Sequence, residues 1–119
     1  MRRLVIVGIA AVALAAAAAG AASGAGAQDP SAGAAATRTI DVRDNFFRPT
    51  RITVRRGTVL RFAWPRTRNT RNPHNVCVGS SCSRTTRRRG TVVRRTARRS
   101  RTYICSVHPT EMRLRVRVR

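Results

Sequence analysis

The chain contains no lysine. All 25 of its basic residues are arginine, against four acidic ones (Asp29, Asp41, Asp44 and Glu111), for a formal net charge of +21. So complete an absence of lysine fits an arginine-favouring coding bias better than selection for phosphate contacts. The resulting field is physical whatever its origin, and it draws the protein towards anionic partners such as acidic proteins or envelope surfaces. Aromatic residues are also scarce: Phe46, Phe47, Phe62, Trp64 and Tyr103 are all there are. That leaves no interleaved aromatic and basic platform, which argues against nucleic acid as the partner. No second metal cluster and no catalytic dyad is visible, so no enzymatic activity is expected. After residue 38 no stretch has a helical period, which excludes an α or α/β architecture.

The first 27 residues are of a different kind. Met1-Arg2-Arg3 is a basic start, "LVIVGIAAVALAAAAA" an uncharged apolar run, and Ala25-Gly26-Ala27 a small-residue exit. This is the pattern of a secretory signal peptide, with retention as an N-terminal anchor as the alternative. No cysteine follows the apolar run, which argues against a lipid-anchored lipoprotein. Export to the periplasm, the cell envelope or the outside is expected. Residues 28–38, "QDPSAGAAATR", read as a flexible leader. Residues 39–119 suffice for one small domain, expected to be a monomer.

Within that domain the apolar residues alternate. Ile40 and Val42, Ile52 and Val54, Leu60, Phe62 and Trp64, and Leu114, Val116 and Val118 each take every second position, often between arginines. Such period-two runs are half-buried strands with a dry and a wet face. Turn signals separate them at Arg48-Pro49, Arg56-Gly57, Asn72-Pro73, Gly79-Ser80 and Arg89-Gly90. The pattern predicts an all-β protein, an antiparallel β-sandwich or small barrel. "GTVVRRTA" can be read as a strand, with an unusually mobile, basic loop over residues 83–91 as the alternative.

The rare residues carry the chemistry. Both histidines lie in turn-like contexts, His74 in "NPHNV" and His108 in "CSVHP". Cys105 precedes His108 by three residues, and Met112, the one methionine besides Met1, follows it by four. Two imidazoles, a thiolate and a thioether form the His₂Cys set with a weak axial Met that suits copper. Met112 shares the parity of Leu114 and Val116, so a strand extended back to it turns the thioether inward.

"DNFFRPTRITVRRGTVLRFAW", "NPHNV" and "YICSVHPTEM", in that order, resemble the cupredoxins, the plastocyanin-like blue copper proteins. The resemblance implies a Greek-key β-sandwich holding one mononuclear type 1 copper through His74, Cys105, His108 and Met112. It also implies that Asn75 and Ser106 tie the two ligand loops together. The implied function is single-electron transfer by Cu(I)/Cu(II) cycling with redox partner proteins. A copper carrier or store without electron transfer is the alternative. The C-x₂-H-x₃-M spacing falls between the loop lengths common in the family, and Arg113 directly follows Met112. Ala97 and Arg101 stand where bulky apolar residues are common.

Cys77 and Cys82 are separated by "VGSS". In an oxidising compartment a disulfide across this short loop is expected, leaving Cys105 as the odd thiol. Whether it closes depends on the side-chain directions at the turn. The competing use of these residues is a zinc site of Cys77, Cys82, Cys105 and His108 in a basic binding module.

Overall fold

A computed structural model describes residues 35–119. The expected signal peptide, and the leader as far as residue 34, lie outside the described residues. Nine strands follow in order: β1 (Thr37–Arg43), β2 (Phe46–Arg48), β3 (Arg51–Val54), β4 (Thr58–Ala63), β5 (Cys77–Val78), β6 (Ser81–Cys82), β7 (Val92–Ala97), β8 (Arg101–Ile104) and β9 (Arg113–Val118). β1 starts two residues before the expected domain start at Thr39, because Thr37 and Arg38 pair with Val59 and Leu60 of β4. One sheet has the order β2-β1-β4-β7 and the other β3-β9-β8-β5-β6.

The sheets are mixed rather than purely antiparallel. β1 runs parallel to β4, and β3 runs parallel to β9. Alternation within a strand fixes which face is buried but carries no information about the direction of its neighbour, so the sequence is silent on this point.

The alternating positions form the core. Ile40, Val42, Phe47, Leu60, Phe62 and Leu114 are fully buried, with Ile52, Val54, Trp64, Tyr103 and Val116 nearly so. Phe62 sits at the centre, edge-on to Phe47 at 5.4 Å and tilted against Tyr103 at 5.6 Å. Burial raises the Tyr103 pKa, and the charges of Arg101 and Arg95 oppose that rise. Phe46, by contrast, is 46% exposed. It is adjacent to buried Phe47 on β2, so the pleat must turn one of the two outward. On the wet face Arg51 pairs with Arg115 and Arg61 with Arg94.

Three connections set the positions of Asp44, the Cys77–Cys82 pair and His74. β1 and β2 are joined by Asp44 and Asn45 alone, with Asn45 in the left-handed region at φ 69°, a conformation asparagine tolerates better than most residues. β5 and β6 are joined by Gly79 and Ser80, with Gly79 at φ 56°. That tight hairpin places Cys77 directly opposite Cys82, Cα to Cα 4.0 Å, and the two form a disulfide. Third, residues 83–91 are pinned rather than loose. Thr86 and His74 exchange both backbone hydrogen bonds, at 2.9 and 3.0 Å. The Trp64 indole Nε1 donates to the Thr86 carbonyl at 3.1 Å.

Candidate metal centre

At one end of the sandwich His74, Cys105 and His108 converge. Cys105 directly follows β8, and the loop after it closes on itself within eight residues. The His108 amide donates to the Cys105 carbonyl, the Met112 amide to the His108 carbonyl, and the Cys105 amide to the Met112 carbonyl, at 3.2, 2.9 and 3.1 Å. These three bonds hold the Cys105–Met112 segment as a compact turn ahead of β9. Met112 precedes β9 by one residue and is fully buried, on the same side as Leu114 and Val116. The inward parity therefore reaches Met112 although the strand pairing does not.

His74 arrives from the segment between β4 and β5, held by the Thr86 bridge. Its Nδ1 lies 3.9 Å from the Cys105 sulfur. One ligand atom from each of His74, Cys105 and His108 lies within 4.8 Å of the others. The imidazole rings are 5.2 Å apart, tilted by 49°. Atoms bound to a single ion at about 2.0–2.3 Å lie roughly 3.3–4 Å from one another, so a small contraction suffices to close this set on one metal. Cys105 and His74 are fully buried, and Cys105 is the one free thiol among the described residues. The Nδ1 of His108 is buried and has no hydrogen-bond partner. An imidazole nitrogen sealed from water without a partner is costly unless something else takes its lone pair, and a metal ion would do so.

The loops are tied together by Asn75, which is itself buried. Its Oδ1 accepts the Ser106 amide at 2.8 Å, and its Nδ2 donates to Ser106 Oγ at 2.7 Å and Thr85 Oγ1 at 3.1 Å. One side chain thus fixes the segment after His74 against the segment after Cys105. Asp44 joins the site without any signature in the sequence. From the two-residue β1–β2 turn its Oδ1 accepts the amides of Arg71 and Asn72 at 2.8 and 3.3 Å and faces His74 Nε2 at 3.4 Å. A proton on Nε2 shared with this carboxylate leaves the Nδ1 lone pair towards Cys105, the tautomer a metal ligand needs.

Burial alone would raise the Asp44 pKa, but the hydrogen bonds from Asn72, His74 and Arg71 outweigh it and hold the carboxyl below its ordinary range. Burial lowers the His74 pKa, aided by repulsion from His108 and opposed by Asp44. The shift favours the neutral imidazole, the form that can ligate. The disulfide removes Cys77 and Cys82 from any ligand set, which overturns the zinc alternative that needed both as thiolates.

No protein-family model and no curated protein matches the sequence. Solved structures do match the fold. It is similar to a copper-containing nitrite reductase from Thermus scotoductus SA-01, with 22% identity and a TM-score of 0.55 over 68% of this chain. The chain spans only 22% of that enzyme's length. A purple cupredoxin from Nitrosopumilus maritimus matches at 17% identity and TM-score 0.55, covering 68% of this chain and 98% of the other. A mutant fern plastocyanin matches at 16% identity and TM-score 0.57, covering 69% of this chain and all of the other. The chain has the cupredoxin fold.

Proposed function

We propose that this cupredoxin-fold chain is an exported, mononuclear blue copper protein that transfers single electrons. One observation carries the reading: the convergence of His74 Nδ1, the free thiol of Cys105 and His108, whose buried Nδ1 has no partner among the described residues. In this proposal His74, Cys105 and His108 hold the ion, and Met112 supplies a fourth, weaker sulfur. Copper bound there supplies a one-electron Cu(II)/Cu(I) couple.

The chain's own residues contribute rigidity and access. Asn75 and Ser106 fix the loops, and Asp44 orients His74, so the donor atoms have little freedom to rearrange between oxidation states. His108 is half-buried between Val107, which is 44% exposed, and exposed Pro109. An apolar rim around one ligand ring suits close approach of a partner, with His108 as the electron port. The arginine-covered strands would steer acidic redox partners to the surface and would also favour anionic envelope surfaces.

Titration of the full chain with Cu(II) tests this. Uptake of one ion per chain, intense visible absorption, and bleaching on reduction that reverses on re-oxidation are expected. Stoichiometric uptake without reversible cycling would make the protein a copper carrier or store. Failure to bind copper would sink both readings.

A further inference from the structure

Two arginines occupy core-facing positions. Arg95 lies on β7 between inward-facing Val93 and Ala97, opposite Leu60 of β4. Arg101 opens β8 with the parity of buried Tyr103, opposite Val116 of β9. β7 is an edge strand of its sheet, and β8 lies in the other. The two strands flank a cleft of about 220 Å³ lined by Arg95, Thr96, Arg98, Arg99, Arg101 and Tyr103, with Val78 beside them. Among the described residues no carboxylate lines it. A cleft of about 390 Å³ over the other face of β1 and β4 has Asp41 in its wall, paired with Arg43 at 3.4 Å, and one of about 400 Å³ over the outer face of β8 and β9 is a more open surface hollow.

The basic cleft has an unmet need. Arg95 Nη1 donates to the Arg94 carbonyl at 3.0 Å, while its Nε is buried and has no partner. A buried charged donor left unpaired is unfavourable, and the charges of Arg95 and Arg101, both close enough to act on Tyr103, repel one another without a counter-charge. Arg101 is held alongside, its Nη1 3.7 Å from where a Cβ would stand on Gly79 of the β5–β6 turn. A planar guanidinium presents Nε–H and Nη–H in the fork that grips an oxyanion through two bonds at once. A bound anion supplies the missing charge, and a turn of the Arg95 side chain towards the cleft gives its Nε–H the missing acceptor.

We infer that the cleft between β7 and β8 is a binding site for a small tetrahedral oxyanion, phosphate or sulfate, held by Arg95 and Arg101 with Arg98 and Arg99 at its mouth. The size of the cleft and its position between the two sheets suit a free ion better than a polymer backbone. The site shares none of the metal-centre residues, and the inference stands whether or not copper binds.

The test is calorimetry and thermal unfolding of the full chain at constant ionic strength, with chloride exchanged for inorganic phosphate or sulfate. One saturable site is expected, with a rise in Tm that follows its occupancy. Arg95→Gln and Arg101→Gln should each weaken binding by about tenfold or more, the loss of a charge-assisted bidentate pair. Arg48→Gln, exposed on β2 at the opposite edge of the sheet from β7, should leave affinity unchanged. Arg95→Leu keeps the face apolar and should fold at least as well as the parent while losing the site, which separates binding from folding. Absence of saturation, or equal weakening in Arg48→Gln, would mean an adventitious ion only and would overturn the assignment.

Discussion

Replacing Asn75 by alanine removes three side-chain hydrogen bonds, two that join the two ligand loops through Ser106 and one to Thr85. Each is worth about 1 kcal/mol net, so the substitution should destabilise the metal-free protein by about 3 kcal/mol. That is a large part of the roughly 5–15 kcal/mol available to a domain. For a domain this small it corresponds to a fall in Tm of roughly 12–24 °C. Ser106→Ala removes the 2.7 Å side-chain bond but leaves the Ser106 amide donating to Asn75, and should cost about 1 kcal/mol. Urea unfolding of both variants and their double mutant gives the coupling directly. The double mutant should be little worse than Asn75→Ala, because the Ser106 hydroxyl bond is already lost in that single variant. An Asn75→Ala protein within about 0.5 kcal/mol of the parent would refute the idea that this side chain holds the loops together.

The remaining expectations concern the same end of the molecule. In metal-free protein both His74 and Asp44 have lowered pKa values, so each binds its proton more readily when the chain is unfolded. Stability should therefore be complete above the ordinary histidine value of 6.5, fall below it through His74, and fall again below 3.8 through Asp44. Unfolding free energies measured from pH 3 to 8 that are flat, or that rise towards acid, would contradict this. Asp44→Ala should weaken copper binding by about 10–100-fold by freeing the His74 ring, measured by competition with a chelator. Replacing Cys77 and Cys82 together by serine should cost about 2 kcal/mol, the loop-closure entropy of so short a bridge. Copper uptake should survive it, and its loss would place one of those sulfurs at the centre. Trp64→Phe should cost about 1 kcal/mol by freeing the Thr86 carbonyl, seen as a lower urea midpoint, and an unchanged midpoint would remove the indole from the account of the loop.

The arrangement of the core was legible because period-two alternation is a direct projection of a half-buried strand. Leu114 and Val116 could be placed on the dry face of β9 from the arginines between them. The candidate ligands were legible for another reason: soft donors are so rare in this chain that His74, Cys105, His108 and Met112 stand out as one pattern, and the structure brings the first three together with Met112 buried. Asp44 was not legible. A carboxylate in a two-residue turn, 30 positions before the histidine it faces, has the appearance of an ordinary turn former. Its function depends on how two distant segments pack. The pinning of residues 83–91 was hidden likewise, since a run of arginines gives no hint that Thr86 will pair with His74 and accept from Trp64. In β7 the adjacent pairs Val92-Val93 and Arg94-Arg95 break the alternation. The inward direction of Arg95 emerges only from its register with Leu60.

In the proposed function Cys105, buried and unbonded to the other two cysteines, is the thiolate of a copper site. The visible absorption spectrum of the Cu(II)-loaded protein, recorded beside that of Cys105→Ser, tests it most directly. An intense blue or green thiolate-to-copper charge-transfer band is expected in the parent and absent from the variant. A colourless Cu(II) form of the parent, or a band that survives the substitution, would contradict the account.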